Sequence, residues 1–521
     1  VGDENTAPTP SFLPIKGGEK RGFQRSITGM AWYRNRFVLM ADKHVCCSVA
    51  GDYYNFWPKT AMTSSEDDPI DIQAAGEFPT PLTVSIETTA GLVMFSKEEQ
   101  FLFTTDADML KPNSAKIMSL SSYNINPNVP PIKMGQNIGF ISDAGLNDKF
   151  FEMSGVSREG SEPSVVELSK LIEPRLADNN QLLAHSKSNM TVFIGKYWDP
   201  EWLQAPQNTT EVTCEGTEVN PWAMYEAEQI REVWGYKYYD NGRERVQSAW
   251  FRWVFDWPIC YHVCMDDNYY HVIHNGGDTE LRVIGMKHED DLMAAHLDGH
   301  YNQMLPGECF YEQDGNTVFP IDSEFHRNDE CYYFEMYNIH DAIKEYTCGE
   351  EYKPIYSGYS KLYKNTDEDN CNLKWAVLPG NWLEVCGEEI DPTDPNSPYR
   401  LLVGKTFDMV AIFPTIYVTK AEGDKSRSKW DPNLTLHRAK FSVGKPATYQ
   451  IHIKRKSRDP IVKFHDVNFP YPRQSEEAFT QPIYMRNDEI QMKMVIGDPH
   501  GGILYSMQWE GDFNPKWYKY V

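Results

Sequence analysis

The first half of the chain repeats one pattern: a short apolar or alternating run, a polar turn, then a second such run. Phe37–Met40, a turn at Asp42-Lys43 and His44–Cys47 form one copy. Leu92–Phe95 and Gln100–Phe103 form the next, around Lys97–Glu99. Ile138–Ile141 with Lys149–Met153, Leu182–His185 with Met190–Ile194, and Ile259–Cys264 with Tyr269–Ile273 complete the series. Short runs of this kind, bounded by turn residues, predict paired β-strands and no long helices.

The first four copies begin roughly 45 to 55 residues apart, the spacing of blades in a β-propeller. The interval before the fifth is longer. It holds Glu232–Tyr238 and Val246–Trp253, read as outer strands of the fourth blade, and a polar, Pro-containing stretch from Asp199 to Glu228, read as a loop. A β-sandwich is the alternative, although turns would then recur at shorter intervals. After about Asp290 the repeat fades into alternating segments such as Glu330–Met336, set between acidic stretches: Asp367–Asp369, Glu388-Glu389 and Asp391–Asp394. Strand-like runs resume at Leu401–Gly404, Thr415–Val418, Leu434–Leu436 and Tyr449–Ile453. The expected fold is mainly β: a propeller-like domain over 1–290, an acidic strand-and-loop tip over 291–400 and a C-terminal β domain over 401–521.

Charge changes this picture. The 521 residues carry 75 acidic and 50 basic side chains, a net charge of -25. A protein that coats a duplex gains affinity by neutralising phosphates, so this balance argues against simple DNA coating. It suits a surface that duplex DNA passes without sticking. No apolar run reaches the length of a membrane-spanning helix. The ten cysteines are irregularly spaced and form no CxxC pair, which predicts reduced, mostly buried thiols.

Two clusters invite chemistry. Asp67-Asp68-Pro69-Ile70-Asp71 has the carboxylates that a glycosidase pair needs, yet acidic residues beside Pro also make turns. Cys260, His262 and Cys264 alternate on one strand face and are zinc-ligand types, but successive same-face side chains stand about 7 Å apart, so packing is the simpler reading. Neither yields a catalytic, cofactor or metal residue. The run Lys454-Arg455-Lys456-Ser457-Arg458 fits a nucleic acid or acidic partner, or a solvated turn between strands.

Seven stretches, in order along the chain, resemble the tail nozzle (tail tubular protein B) family of short-tailed bacteriophages, the podoviruses. They are Tyr33–Phe37, Gly51–Lys59, Asp67–Ile72, Glu98–Leu102, Gln247–Trp253, Leu434–Ala439 and Trp509–Phe513. The stretches Asp199 to Glu228 and Asp290 to Pro398 depart from the family pattern. The resemblance implies a structural protein of the virion tail, assembled in the host cytoplasm, with no catalytic residues and no cofactor. It implies a homohexameric ring below an adaptor (tail tubular protein A) ring, helping to hold tail fibres near the host cell surface. Genomic double-stranded DNA would leave through the channel without specific binding. It also implies an upstream platform region preceding Val1. On this reading the acidic loops between Asp290 and Asp394 line the channel, and Lys454 to Arg458 face an external partner such as a fibre. Two other classes fit a propeller: an enzyme acting on cell-surface glycans, and a carbohydrate-binding module without a ring.

Overall fold

The computed structural model describes residues 10–12, 26–197 and 230–286 with short breaks, the strands between 298 and 405, and 407–513 with short breaks. The stretch Asp199 to Glu228 and the acidic loops expected to line a channel lie outside the described residues. The chain divides into two compact units, Val1–His288 and Glu289–Val521.

The first unit is a succession of antiparallel sheets, each built from consecutive strands. The first sheet holds β1 (Ile27–Tyr33), β2 (Arg36–Ala41), β3 (His44–Cys47) and β4 (Ile70–Gln73), paired in that order. The second holds β5 (Leu82–Glu87), β6 (Leu92–Ser96), β7 (Gln100–Thr105) and β8 (Ala115–Ser121). The third holds β9 (Ile132–Met134), β10 (Asn137–Ser142), β11 (Lys149–Ser154) and β12 (Ser164–Glu167). The fourth holds β13 (Asn180–Ser186), β14 (Thr191–Lys196), β15 (Glu232–Asp240) and β16 (Arg245–Val254). Three strands, β17 (Ile259–Met265), β18 (Asn268–Asn275) and β19 (Asp278–Gly285), make the fifth.

Each repeated hairpin of the sequence lies within one sheet. The first three are the two central strands of their sheets. In the fourth sheet the hairpin is β13–β14, the first two strands, and the two later runs expected as outer strands are β15 and β16. Trp234 pairs with Arg252 and Gly235 with Phe251. A Cβ at Gly235 would collide with the Phe251 ring, which covers that backbone, so the close approach requires glycine here.

The sheets pack face against face, and this explains the near-continuous apolar runs. In β6, Leu92 and Met94 face the first sheet, where they join Val38, Met40, Val45 and Cys47. Val93 and Phe95 point the other way, against Ile138, Phe140 and Met153 of the third sheet. Ile141 and Phe150 then meet Val192, Ile194 and Trp234 of the fourth. Phe193 and Val233 meet Ile259, Tyr269 and Ile273 of the fifth. A strand buried on both faces has no polar side, so it reads as a solid apolar block rather than an alternation. Truncating a fully buried phenylalanine such as Phe140 or Phe193 costs about 3–5 kcal/mol in a core of this kind. The first strands also lie side by side: β1 against β5, β9 against β13, and β13 against β17.

In the second unit, two four-stranded antiparallel sheets are formed by strands between Asp298 and Lys405. The remainder is a two-stranded hairpin, Thr419–Glu422 with Lys425–Ser428, and a two-sheet sandwich. One sheet orders Met409–Ile412, Ile490–Ile496, Ala447–Arg455 and Arg458–Val467; the other orders Glu477–Arg486, Leu434–Val443 and Leu504–Phe513. Their inward residues share one core, Tyr449, Ile451 and Met494 from the first and Leu436, Phe441 and Ile483 from the second. No α-helix occurs among the described residues.

Candidate functional site

A dense polar construction in the first unit is built around Arg36. β1 and β2 are joined by Arg34 and Asn35, both at positive φ (45° and 60°), the left-handed pair of a tight hairpin turn. That turn delivers Arg36 to the interior, where it is 1% exposed. Its guanidinium donates to the carbonyls of Ser48 (2.7 Å), Asp68 (2.8 Å), Glu66 (3.1 Å), Asp67 (3.3 Å) and Leu110 (3.3 Å). Burial pulls its pKa below the ordinary arginine value. The fork of donors therefore staples the loop between β3 and β4 to the second sheet.

Asp68 finishes the loop from within. Its buried carboxylate accepts the backbone N–H groups of Ser65 (2.6 Å) and Lys59 (3.3 Å). Asp71 sits on β4 and accepts the Ser11 hydroxyl and backbone N–H, both at 2.7 Å. Asp68 and Asp71, weighed in the sequence as a carboxylate pair against a turn, are thus engaged with separate segments of the chain, Asp68 with the Ser65 and Lys59 backbone and Asp71 with Ser11. Gly51, at φ 76°, donates to the Asn35 carbonyl at 3.0 Å, and the Tyr53 hydroxyl donates to the Asn35 side chain at 2.7 Å. The Tyr53 ring meets Trp32 edge-on at 4.7 Å.

Cys260, His262 and Cys264 share the inward side of β17, and a register shift between Ile259 and Tyr261 turns Ile259 to that side as well. A strand bulge of this kind turns consecutive residues toward one side. His262 Nδ1 is occupied by the Tyr269 hydroxyl at 2.7 Å, and Cys264 packs into the apolar core beside Tyr269. Burial first, and His271 second, lower the His262 pKa to about 3. Among the described residues no group of three or more potential ligands could hold a metal ion. Cys46, Cys47 and Cys264 are thiols, and burial pushes Cys46 and Cys264 up to about 12, where the reactive thiolate is scarce.

Sequence reasoning missed the inter-sheet clamp at Arg245. It holds Glu152 of the third sheet through two parallel bonds of 2.7 Å, binds Asp240 at 3.0 Å and lies over the Tyr238 ring at 4.6 Å. The partners are 93 residues apart and no local pattern announces them. The basic run Lys454 to Arg458 is the tip of a hairpin between Ala447–Arg455 and Arg458–Val467; Arg455 donates to the Asp459 carbonyl and the Lys456 N–H to that of Glu489.

The seven family-like stretches prove to be architectural. Three of them meet around Arg36. Leu434–Ala439 and Trp509–Phe513 are neighbouring strands, with Leu434 opposite Phe513 and Arg438 bonded to Glu510 at 2.7 Å. Trp250 donates its indole N–H to the Leu168 carbonyl at 3.0 Å, tying the fourth sheet to the third.

Comparison with known proteins gives the same direction. The family model described as bacteriophage nozzle protein matches residues 1–520. The tail tubular protein gp12 of Escherichia phage T7 is 20% identical over 334 residues, 63% of this chain. The matched stretch spans 37% of the length of that relative. Among solved structures, the N-terminal domain of Nup159 aligns with TM-score 0.27 and 10% identity, over 56% of this chain and 70% of its own. An exo-beta-1,3-galactanase from Phanerochaete chrysosporium aligns with TM-score 0.22 and 8% identity, over 95% and 100%. Scores this low carry no argument about fold or activity.

Proposed function

We propose that this chain, which belongs to the bacteriophage nozzle protein family and is a component of a phage tail, forms a homohexameric ring that closes the distal end of that tail. The family match over residues 1–520 is the observation that carries the reading. In this role the chain is structural, not enzymatic. It sits below an adaptor ring, helps to hold tail fibres near the host surface and lets double-stranded DNA out through a central channel without specific binding.

The fold supports the finer reading in one respect. Consecutive antiparallel sheets, the second to fourth each covered on its faces by the sheets before and after it, with first strands side by side, support the arrangement of a β-propeller. A propeller over residues 1–290, an acidic tip over 291–400 and a C-terminal β domain over 401–521 is the division proposed. The net charge of -25 favours a conduit. Each lysine or arginine that engaged a phosphate would add affinity and slow the passage of DNA, whereas a carboxylate wall adds none.

Labelling tests this reading. Antibody fragments raised against this chain are expected to decorate the tail tip of intact particles. Decoration of the capsid, or of fibres alone, would overturn it, as would particles that lack the chain and still eject DNA normally.

A further inference from the structure

Six non-glycine residues among the described ones have positive φ: Arg34, Asn35, Asp42, Met190, Asp266 and Tyr484. The first five sit in hairpin turns, where that backbone is ordinary. Tyr484, at φ 50°, lies inside the strand Glu477–Arg486 of the C-terminal sandwich. A bulky residue rarely occupies the left-handed region, which glycine fills without strain.

Two irregularities meet at this point. Against Glu477–Arg486, the central strand Leu434–Val443 sets His437 alone opposite two residues, Ile483 and Tyr484. Against Leu504–Phe513, His437 is itself the extra residue, between Leu436 paired with Gly511 and Arg438 paired with Glu510. Leu436, Ala439 and Ile483 belong to the core between the two sheets, and Tyr484 takes no part in it. The distortion therefore aims side chains outward, as bulges do. On the outer face the Tyr484 ring stacks on His437, with centroids 5.7 Å apart and planes at 28°. His437 Nε2 lies 3.2 Å from the Asp512 carboxylate. Arg438, flanked by Pro482 and Glu510, donates to Glu510 at 2.7 Å.

The geometry points to a saccharide-binding face, with Tyr484 as its platform and the Arg438–Glu510 and His437–Asp512 pairs as its grips on hydroxyl groups. Each basic group beside the ring already faces a carboxylate, so neither is left over for a phosphate or an acidic peptide. An apolar segment would strip water from both pairs and return no hydrogen bonds. A sugar hydroxyl donates and accepts, so neighbouring hydroxyls satisfy a guanidinium and a carboxylate together. The C–H face of a pyranose suits the negative face of an aromatic ring. His437 braces one face of Tyr484 and leaves the other to the sugar. Glu510 and Asp512 are two residues apart on one strand, about 7 Å, a span that one or two sugar rings cover. Strained backbone persists where its surroundings over-determine it, and it clusters at ligand clamps.

Binding of the full chain to an array of bacterial polysaccharides and oligosaccharides tests the proposal. The wild type should retain at least one class of glycan, and the same glycan free in solution should compete it off. Tyr484→Gly removes the platform and suits the left-handed backbone. It should weaken binding at least 30-fold while melting no lower than the wild type. Arg438→Gln with Glu510→Gln keeps the size and neutrality of the face and should weaken binding at least 10-fold. A wild type that binds no glycan on the array overturns the proposal, and so does a Tyr484→Gly variant of wild-type affinity. If Tyr484→Gly melts lower, the ring serves the sandwich itself and the double variant alone decides, with wild-type affinity there overturning the proposal. None of these outcomes bears on the ring of six copies.

Discussion

Replacing Arg36 by methionine is expected to unfold the first sheet and loosen the loop between β3 and β4, with a loss on the order of 3–5 kcal/mol. Methionine fills much of the same space but donates nothing. Of the five carbonyls that Arg36 serves, those of Ser48, Asp68 and Leu110 would stay buried without their donor. Each orphaned buried acceptor costs about 1–3 kcal/mol, partly offset by relief from burying the cation. Arg36→Lys should recover only a fraction, because one ammonium cannot span the fan of acceptors that a guanidinium reaches. Urea denaturation followed by tryptophan fluorescence, with Trp32 and Trp57 near this site, measures it. A methionine variant within about 0.5 kcal/mol of wild type would show that the guanidinium is dispensable.

The second large effect is acid lability at the seam between the fourth and fifth sheets. His262 and His271 are opposed across β17 and β18 and both are buried. Burial, with the neighbouring His271, lowers His262 to about 3; burial, with Arg282, lowers His271 to about 4. On the other side of the fourth sheet, toward the third, His185, stacked on Tyr238 and bonded to its hydroxyl at 2.9 Å, is lowered to about 4 by burial and Lys187. In the unfolded chain these imidazoles take up protons near pH 6.5, while in the folded chain they stay neutral until pH 3 to 4. The unfolded state therefore binds more protons throughout that window, and stability is complete above 6.5 and falls as the pH drops toward 3. For His262 and His271 together the loss by pH 4.5 is on the order of 5 kcal/mol. Denaturation midpoints at pH 7 and pH 4.5 should differ strongly for the wild type. In a His262→Gln, His271→Gln double variant the difference should shrink by at least half. An unchanged difference would assign the acid response to other groups.

The parts of this fold that were legible in the sequence are the parts buried on two sides. Leu92–Phe95 and Ile138–Ile141 announce themselves because every side chain meets a neighbouring sheet. The edge strands do not. Ile132–Met134 is three residues long, and Ser164–Glu167 alternates exposed and half-buried positions, so both look like loop. The polar anchors were invisible for a different reason. Asp68 looks like chemistry until Arg36 takes its backbone carbonyl and its carboxylate closes the turn, a role set by contacts some 32 residues away in sequence. Glu152 and Arg245 gave no local signal at all. The alternation of Cys260, His262 and Cys264 was legible as one inward face, whereas the bulge that turns Ile259 inward beside Cys260 is encoded by no side-chain pattern. The resemblance of the seven stretches to the nozzle family was legible because their side chains hold the sheets together, so the residues that support recognition are the ones that build the scaffold.

A symmetric cryo-electron-microscopy reconstruction of the intact tail tests the central claim most directly. The account predicts six copies of this chain around the axis at the distal end, enclosing a channel wide enough in its open state for duplex DNA, about 20 Å across, with carboxylates outnumbering lysines and arginines along its wall. A chain present as a monomer or dimer off the axis, or an axial ring whose wall is mainly basic, would contradict it.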